Sequence, residues 1–489
     1  MFITILVWVG AALLIFQAAI GLSFLISCIW EKEERASLFA AIQFLGMVAL
    51  IFFFFYLKAI DFFETTTGAS LLIAGFVAAG GAVFFLVRKT APNPKALQGA
   101  RGLIVGEVER FDERAQVFAR NRSIPPGSEQ YSRFYNDHPE LEEYDSARRK
   151  RGGPLGHLGS IDSSSGTPNV AATLAALSIP LHLSRPEQYQ PQQHPQFKDN
   201  KVDLSPEEAT QRVKGYGLML GADMVGIAEI NPLWVYSHRG EIFNENWEDW
   251  GTEIDLSHKY AVVIAEEMDF RMVGTGPHTP TVIESMRNYA KGAFISTQLA
   301  AFVANLGYSA TANHLRHYDT MLVPLAVDAG LGELGRLGYL VTKAYGPRIR
   351  LSAITTDLPL IPDKPDDIGV EDFCKICKKC ATCCPSRSIP LGEQKPFDGT
   401  LRWKLNEETC FDYWGKVGTD CCICMRVCPW GHATTLPHRI IKWVVSRNSI
   451  SRRIFSAMDD VFYGKKPRSK DAPAWASFGK KKGGDELTT

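Results

Sequence analysis

Residues 374–385 read Cys-Lys-Ile-Cys-Lys-Lys-Cys-Ala-Thr-Cys-Cys-Pro, and residues 421–429 read Cys-Cys-Ile-Cys-Met-Arg-Val-Cys-Pro. Both runs end in a Cys-Pro pair, and all of the 11 cysteines except Cys28 lie between residues 374 and 428. A secreted disulfide scaffold spreads its cysteines through a small domain, so this density inside a chain of 489 residues favours metal ligation. A reducing compartment is the accompanying expectation.

The spacing of the two runs is typical of 4Fe–4S ligation. Gaps of two, two and three residues form the bacterial ferredoxin run, whose fourth cysteine ligates the other cluster. The second run supplies only three ligands, and Cys410 upstream is the natural fourth. The predicted ligands are Cys374, Cys377, Cys380 and Cys428 for one cluster, and Cys384, Cys410, Cys421 and Cys424 for the other. Zinc is the rival interpretation, but a zinc site needs two cysteine pairs rather than two runs closed by Cys-Pro.

Three uncharged runs open the chain, at residues 1–30, 36–57 and 65–87. Each is long enough to cross a bilayer as a helix, which takes about 20 residues, and a cleaved signal peptide fits none of them. Six cations flank one side of such a bundle: Lys32, Arg35, Arg88, Lys89, Lys95 and Arg101. Only Lys58 lies on the other side. The positive-inside rule therefore predicts a multi-pass inner-membrane protein whose large domain faces the cytoplasm.

The remainder has the pattern of a mixed helix-and-strand domain. A helix should begin at Ser205-Pro206, and one long helix should run from Thr281 to Leu306. Strands are expected at residues 223–230, 260–265 and 348–355, and near Ala310 and Val323. This alternation favours an α/β or α+β core, while residues 161–204 have the composition of a long loop. The formal net charge of zero gives no electrostatic support for a nucleic-acid partner.

Residues 101 to about 440 resemble the catalytic subunit of the corrinoid-dependent reductive dehalogenases. Five segments carry the resemblance, together with the cysteine pattern and its displaced Cys410: Phe111-Asp-Glu-Arg, Tyr135-Asn-Asp-His-Pro-Glu, Val327-Asp-Ala-Gly-Leu-Gly-Glu-Leu-Gly-Arg, Tyr345-Gly-Pro-Arg-Ile-Arg and Thr356-Asp-Leu-Pro-Leu-Ile-Pro-Asp-Lys. Glu31-Lys-Glu33, after the first apolar run, is similar to a Glu-x-Glu motif of the small membrane subunits that accompany respiratory members. Anchor and enzyme are therefore expected to be fused in one chain.

The resemblance implies an α/β, nitroreductase-like core that holds cobalamin base-off beside the two 4Fe–4S clusters. The absence of an Asp-x-His-x-x-Gly run, by which some proteins supply histidine to cobalt, agrees with that cofactor state. The corresponding domains are a transmembrane anchor (1–90), an N-terminal extension with wrapping loops (91–204), the catalytic core (205–365), a ferredoxin-like domain (366–440) and a basic C-terminal helix and tail (441–489). The helix in that last segment could rest on anionic lipid or simply pack against the protein.

The resemblance also implies residue roles. Tyr289 would give a proton to the dehalogenated carbon, and a basic residue would stabilise its phenolate. That residue is Arg348 or Arg350, with Arg348 preferred, and Asn313 is a further polar candidate near the substrate. Cobalamin contacts are expected from Gly332, Gly335, Arg336, Arg350 and Asp357.

The function predicted from these patterns is reductive dehalogenation of an organohalide. The expected partners are the organohalide, membrane lipid and a separate electron donor: quinol, ferredoxin or flavodoxin. A homodimer is the default assembly. Two alternatives stay open. One is a membrane-bound electron-transfer subunit without corrinoid, and the other is a deoxygenase like epoxyqueuosine reductase, for which the sequence offers no basic patch or aromatic platform for RNA.

Overall fold

The structure is a computed structural model that describes residues 1–151, 167–183, 201–242 and 248–478. The helices, in chain order, are α1 Phe2–Trp30, α2 Glu34–Ala59, α3 Thr66–Val87, α4 Val117–Arg122, α5 Glu129–Asp137, α6 Pro139–Arg151, α7 Thr167–His182, α8 Pro206–Met219, α9 Phe270–Gly274, α10 Pro280–Asn305, α11 Leu322–Asp328, α12 Val370–Cys377, α13 Lys379–Thr382, α14 Glu407–Val417, α15 Ile423–Arg426, α16 Leu436–Val445 and α17 Ser449–Phe462. The strands are β1 Met224–Glu229, β2 Tyr260–Glu267, β3 Ala310–Asn313, β4 Glu333–Leu334, β5 Leu340–Val341, β6 Ile349–Thr356, β7 Lys395–Phe397 and β8 Thr400–Arg402.

The chain divides into two compact units. The anchor unit comprises residues 1–91, 368–377 and 432–468, and the core unit comprises residues 92–367, 378–431 and 469–489. In the anchor unit α1, α2 and α3 are each long and apolar enough to cross a membrane. The three helices expected from the sequence are therefore present, and their passage through a membrane stays a prediction. The five-domain division stays a prediction, although residues 432–468 group with the apolar helices.

A four-stranded antiparallel sheet forms the centre of the core unit, with strand order β1-β2-β6-β3. The long helix α10 packs on one face, where Ile295 and Leu299 meet Ile264 of β2 and Ile354 of β6. On the opposite face α11 covers the sheet, and Leu325 joins a second apolar cluster. The mixed helix-and-sheet class is confirmed, with an antiparallel sheet that is covered by helices on both faces.

Most of the expected elements are present. The strands at residues 223–230, 260–265 and 348–355 and near Ala310 are confirmed as β1, β2, β6 and β3, and the long helix is α10. The helix at Ser205-Pro206 is α8, where the Ser205 side chain accepts a hydrogen bond from the Glu208 backbone N–H.

Two local expectations are wrong. The strand expected near Val323 is the helix α11, because its apolar residues recur with a helical period and Leu325 and Ala326 pack together against the sheet. The loop expected over residues 161–204 contains the helix α7, which is fixed where Asn169 donates to Thr279 Oγ1 and to the Ala476 carbonyl. Residues 161–166 and 184–200 of that stretch lie outside the described residues, as do residues 479–489 of the expected tail.

A close backbone approach at Gly346 generates the first prediction. Gly346 has φ +60°, and a Cβ there would come within 2.4 Å of the Trp430 backbone. Gly346→Ala should lower the midpoint of thermal unfolding through both backbone strain and this clash. Gly127→Ala is the matched control, since Gly127 has φ +84° and an added Cβ meets nothing within 4 Å. Strain alone costs about 1–2 kcal/mol, so equal shifts in the two variants would contradict the close-approach argument.

A buried carboxyl group under α10 generates a pH prediction. Glu266 of β2 accepts a hydrogen bond of 3.0 Å from Ser352 Oγ, and burial raises its pKa from 4.5 to about 8. A raised carboxyl pKa stabilises the fold fully below pH 4.5, and this contribution is lost as the pH rises through about 8. The unfolding free energy of Glu266→Gln should therefore rise relative to wild type as the pH increases from 4.5 to about 8, and the difference should stay constant above that range. Denaturant unfolding across that range measures it, and a parallel decline of both proteins would show that Glu266 is not the group responsible.

Candidate active site

A cavity of about 570 Å³ lies inside the core unit, within the size range of ligand pockets. Tyr289 from α10 and Arg350 from β6 line one part of it. Four of the predicted cluster ligands line another part: Cys384, Cys410, Cys421 and Cys424. The cavity therefore has a phenol, a guanidinium group and a set of thiols in its wall.

The four thiols of this second predicted cluster converge in the structure. Cys410 lies on α14 and Cys424 on α15, while Cys421 precedes α15 with φ +63°, a left-handed conformation that turns the chain between the thiols. Burial raises the pKa of Cys410 to about 12, and the nearby Cys384 adds to the rise. Burial likewise raises the pKa of Cys421 to about 12, with Cys410 and Cys384 contributing. Four thiols that line one cavity and influence one another's pKa fit the donor set of an iron–sulfur cluster.

The ligands of the first predicted cluster belong to both compact units. Cys374 and Cys377 lie on α12 in the anchor unit, whereas Cys380 and Cys428 belong to the core unit and are buried there. This cluster stays a prediction from the spacing of the cysteines.

Tyr289 is half-buried on α10 and lies beside Arg350, which was the less favoured of the two predicted partners. The Arg350 guanidinium carbon lies 5.4 Å from the centre of the Tyr289 ring. Burial raises the pKa of Tyr289, and the positive charge of Arg350 is the largest influence that lowers it. Arg350 thus favours the phenolate form that remains after the phenol has given up its proton.

The preference for Arg348 as the partner of Tyr289 is corrected by the structure. Arg348 lies just before β6 and donates to the Gly431 carbonyl at 2.6 Å, to Glu267 at 3.1 Å and to the Met268 carbonyl. Arg350, two residues further, lies within β6 and reaches Ser285 of α10 at 2.7 Å. Arg348 and Arg350 are two residues apart, so their side chains point to the same side of the strand. They differ only in their position along it, and of the two only Arg350 meets α10.

Asp420 connects the cluster-ligand loop to the tyrosine helix. Its carboxylate accepts a hydrogen bond of 2.6 Å from Thr281 and another from Ser285, both on α10, and it lies 3.6 Å from Arg350 Nη2. The next residue is the predicted ligand Cys421. The loop that carries the thiols is therefore tied to the same side chains that position Arg350.

Five other candidates do not line the described cavity. Asn313 is buried and accepts a 2.7 Å hydrogen bond from the Asp319 backbone, so it stabilises a turn. Gly332 and Gly335 allow close packing against Val341 in the β4–β5 hairpin. Arg336 donates to the carbonyl groups of residues 390 and 392, and Asp357 accepts from the Ser309 backbone. These contacts give each of the five residues a role in the fold. Of the predicted cofactor contacts, only Arg350 lines the cavity.

Several lining residues were missed from the sequence. Arg122, on α4, packs its guanidinium group against the rings of Phe118 and Phe411 at 4.9 and 5.3 Å. Burial, followed by repulsion from Arg316, lowers its pKa to about 10. Glu241 lies 4.0 Å from Arg316. No local motif marks these residues, because segments distant in the sequence bring them to the cavity.

Comparison with known proteins identifies relatives of this arrangement. The chain is 32% identical over 284 residues to the tetrachloroethene reductive dehalogenase of Dehalobacter restrictus, covering 49% of this chain and 51% of that protein. It is 35% identical over 122 residues to the epoxyqueuosine reductase of Cyclobacterium marinum, covering 23% of this chain and 37% of that protein. Among solved structures it matches the catabolic reductive dehalogenase NpRdhA with a TM-score of 0.59 and 26% identity, over 78% of this chain and 49% of that one. No family model matches the chain.

These matches define the class: the chain is similar in both sequence and structure to the catalytic subunits of reductive dehalogenases, which are oxidoreductases. The resemblance inferred from the motifs is thereby confirmed. The chain spans about half the length of the curated relatives that it matches.

The convergence of the four thiols generates a prediction about iron content. Cys410→Ser leaves one cluster with three cysteine ligands, so this cluster should lose iron or fail to form. The iron content should then fall below the roughly eight atoms expected for two 4Fe–4S clusters, and acid-labile sulfide should fall with it. Cys383→Ser is the matched control, because Cys383 adjoins Cys384 but belongs to neither predicted ligand set. Iron analysis and electron paramagnetic resonance of the anaerobically purified proteins measure the effect. Unchanged iron and spectra in Cys410→Ser would remove Cys410 from the ligand set.

Proposed function

We propose that this chain is the catalytic subunit of a reductive dehalogenase that replaces the halogen of an organohalide with hydrogen. The observation that carries the proposal is the Tyr289–Arg350 pair in one cavity with four convergent thiols, in a fold similar to that family. The reaction consumes two electrons and one proton: R–X + 2 e⁻ + H⁺ gives R–H + X⁻. The carbon–halogen bond breaks, a carbon–hydrogen bond forms, and the halide leaves with the electron pair.

The electrons would enter through the two predicted 4Fe–4S clusters. The ligands of the second cluster form part of the cavity wall, so this cluster would lie beside the reacting centre. The proposed donor is external, a quinol, ferredoxin or flavodoxin. The positive-inside pattern supports a location on the cytoplasmic face of the inner membrane, with the apolar helices as anchor.

A base-off cobalamin is the proposed cofactor of the cavity. When bound, it would supply the two-electron chemistry at the carbon–halogen bond. The residues that would hold it are the apolar and aromatic side chains of the cavity wall, among them Leu337, Tyr339 and Met425. These apolar groups suit the broad face of a macrocycle, and Tyr289 opens onto the same space.

The proton would come from the hydroxyl group of Tyr289. Burial raises its pKa, so the phenol keeps its proton near neutral pH and is available as an acid. As the proton leaves, negative charge develops on the phenolate oxygen, and the neighbouring Arg350 stabilises it. Ser285 and Asp420 hold Arg350 in place.

An electron-transfer protein without corrinoid is the second candidate, because the thiol set and the apolar helices fit it equally well. Cobalt content of protein purified from cells supplied with cobalamin separates the two. About one cobalt atom per chain would support the dehalogenase. Iron without cobalt would exclude it and support the electron-transfer protein. An epoxyqueuosine reductase-like activity would also bind the corrinoid, so a substrate panel of a brominated phenol, tetrachloroethene and epoxyqueuosine-containing RNA is needed to exclude it.

Removal of the acidic proton tests the role of Tyr289. Tyr289→Phe should lower the dehalogenation rate by about 10²–10⁴-fold, the usual contribution of a general acid, with cobalt and iron contents unchanged. Tyr216→Phe is the matched control, since Tyr216 packs against Phe302 outside the cavity. Full activity of Tyr289→Phe with both cofactors bound would contradict the assignment.

The pH profile tests Arg350 separately. Arg350→Met removes the cation that lowers the pKa of Tyr289, so this pKa should rise further. The loss of activity at high pH, where the phenol is already ionised, should then move to higher pH while the maximum rate falls. Arg350→Lys should restore part of both. An unshifted alkaline limb in Arg350→Met would show that Arg350 does not act through Tyr289.

A further inference from the structure

The two C-terminal helices of the anchor unit expose apolar side chains along one side of each helix. The exposed large apolar residues are Leu436, Ile440 and Trp443 on α16, and Ile450, Ile454, Met458 and Val461 on α17. They recur every three or four residues, which is the period of a single helix face. The exposed fraction is at least 38% for every one of them. These residues are called the apolar stripes below.

The beginning of α17 is hydrogen-bonded to the end of the third apolar helix. Arg447 Nε donates to the Val87 carbonyl at 3.0 Å, and Asn448 Nδ2 donates to the carbonyls of Phe85, Leu86 and Arg88 at 2.9–3.1 Å. The last carbonyls of a helix have no partner within it, and at the edge of a bilayer they need a donor from elsewhere. The α16–α17 junction supplies that donor, so it lies where the third span leaves the hydrocarbon.

The other ends of these helices meet the connection between the first two spans. Arg35 Nε donates to the Val461 carbonyl at 2.8 Å, and Glu31 lies 3.4 Å from His438 Nδ1. His438 in turn shares a 2.8 Å hydrogen bond with Tyr463. In a three-span bundle this connection and the end of the third span lie on the same side of the membrane. Both ends of the helix pair are thus fixed at one bilayer boundary.

We infer that α16 and α17 lie in the headgroup layer of the membrane, with the apolar stripes inserted at the acyl boundary and anionic phospholipid as the preferred lipid. Exposed cations border the stripes at Arg439, Arg453 and Lys466, and such cations attract anionic headgroups. The attachment at the span ends is the reason for choosing lipid as the occupant, because it holds the stripes at the depth where headgroups begin. The anchor is then three spans with two interfacial helices. This inference is independent of the proposed function.

Insertion depth tests the inference on the full-length protein in phospholipid nanodiscs. A fluorescent amino acid placed at Ile454 or Ile440 should be quenched by lipids that carry a spin label near the top of the acyl chain. The same probe at Met219, an exposed apolar residue of α8 in the core unit, is the control and should not be quenched. Each site is compared in nanodiscs with and without spin-labelled lipid, so that quenching by the protein's own cofactors cancels.

Two outcomes would overturn the inference. Quenching at Ile454 and Ile440 no greater than at Met219, with emission typical of water, would place the stripes in solvent. A blue-shifted emission without lipid quenching, dependent on protein concentration, would show that a second copy of the chain covers them.

Lipid preference tests the charged part of the inference. Arg439→Gln/Arg453→Gln should reduce the enrichment of phosphatidylglycerol that co-purifies with the protein, by roughly fivefold for each lost cation, and should leave the probe depth unchanged. Arg212→Gln/Lys259→Gln, which removes two exposed cations from the core unit, is the control of equal charge and should have no effect. Equal lipid enrichment in the two double variants would refute the anionic preference.

Discussion

The packing of α10 across the antiparallel pair β2–β6 is the constraint on which the core unit depends. Ile264, Ile295 and Ile354 are fully buried between the helix and the sheet, which fixes the helix in both rotation and position. That rotation also determines which residues in the N-terminal half of α10 meet the face of β6 that carries Arg350 and Ile354. Tyr289 and Arg350 are brought together by this packing rather than by any local turn, since 61 residues separate them in the sequence.

The features predicted correctly from the sequence are those that short-range spacing determines. The gaps between cysteines reflect the turns needed to aim several thiolates at one cluster, so the four cysteines that line the cavity, including Cys410 on its separate helix, could be grouped in advance. Their ligation of a cluster stays a prediction. The apolar helices could be predicted because a bilayer demands about 20 uncharged residues in succession. The strands β1, β2 and β6 are short apolar runs with few alternatives, and α10 shows its helical period over 26 residues.

The errors have a common origin in contacts between distant segments. Arg348 and Arg350 share the side-chain direction of one strand, so no local pattern distinguishes the residue beside Tyr289 from the one that donates to Gly431. Asn313 is a plausible polar ligand by residue type, but its amide oxygen is already occupied by the Asp319 backbone. Arg122 was missed for the converse reason: its position in the cavity depends on how α4 and α14 pack, which brings Phe118 and Phe411 around its guanidinium group.

In the proposed reaction, the charges at the cavity would make electron entry and proton supply interdependent. Arg350 faces Tyr289 on one side and Asp420 on the other, and an unpaired guanidinium group at this depth would be strongly unfavourable. Asp420 offsets that cost, and its own carboxylate is satisfied by hydroxyl groups of α10. Because Asp420 directly precedes a predicted cluster ligand, a displacement of the ligand loop would also disturb the cation that stabilises the phenolate. An intact second cluster and a correctly placed Arg350 are therefore expected to depend on the same hydrogen bonds, so loss of the proposed electron carrier would also impair the proposed proton donor.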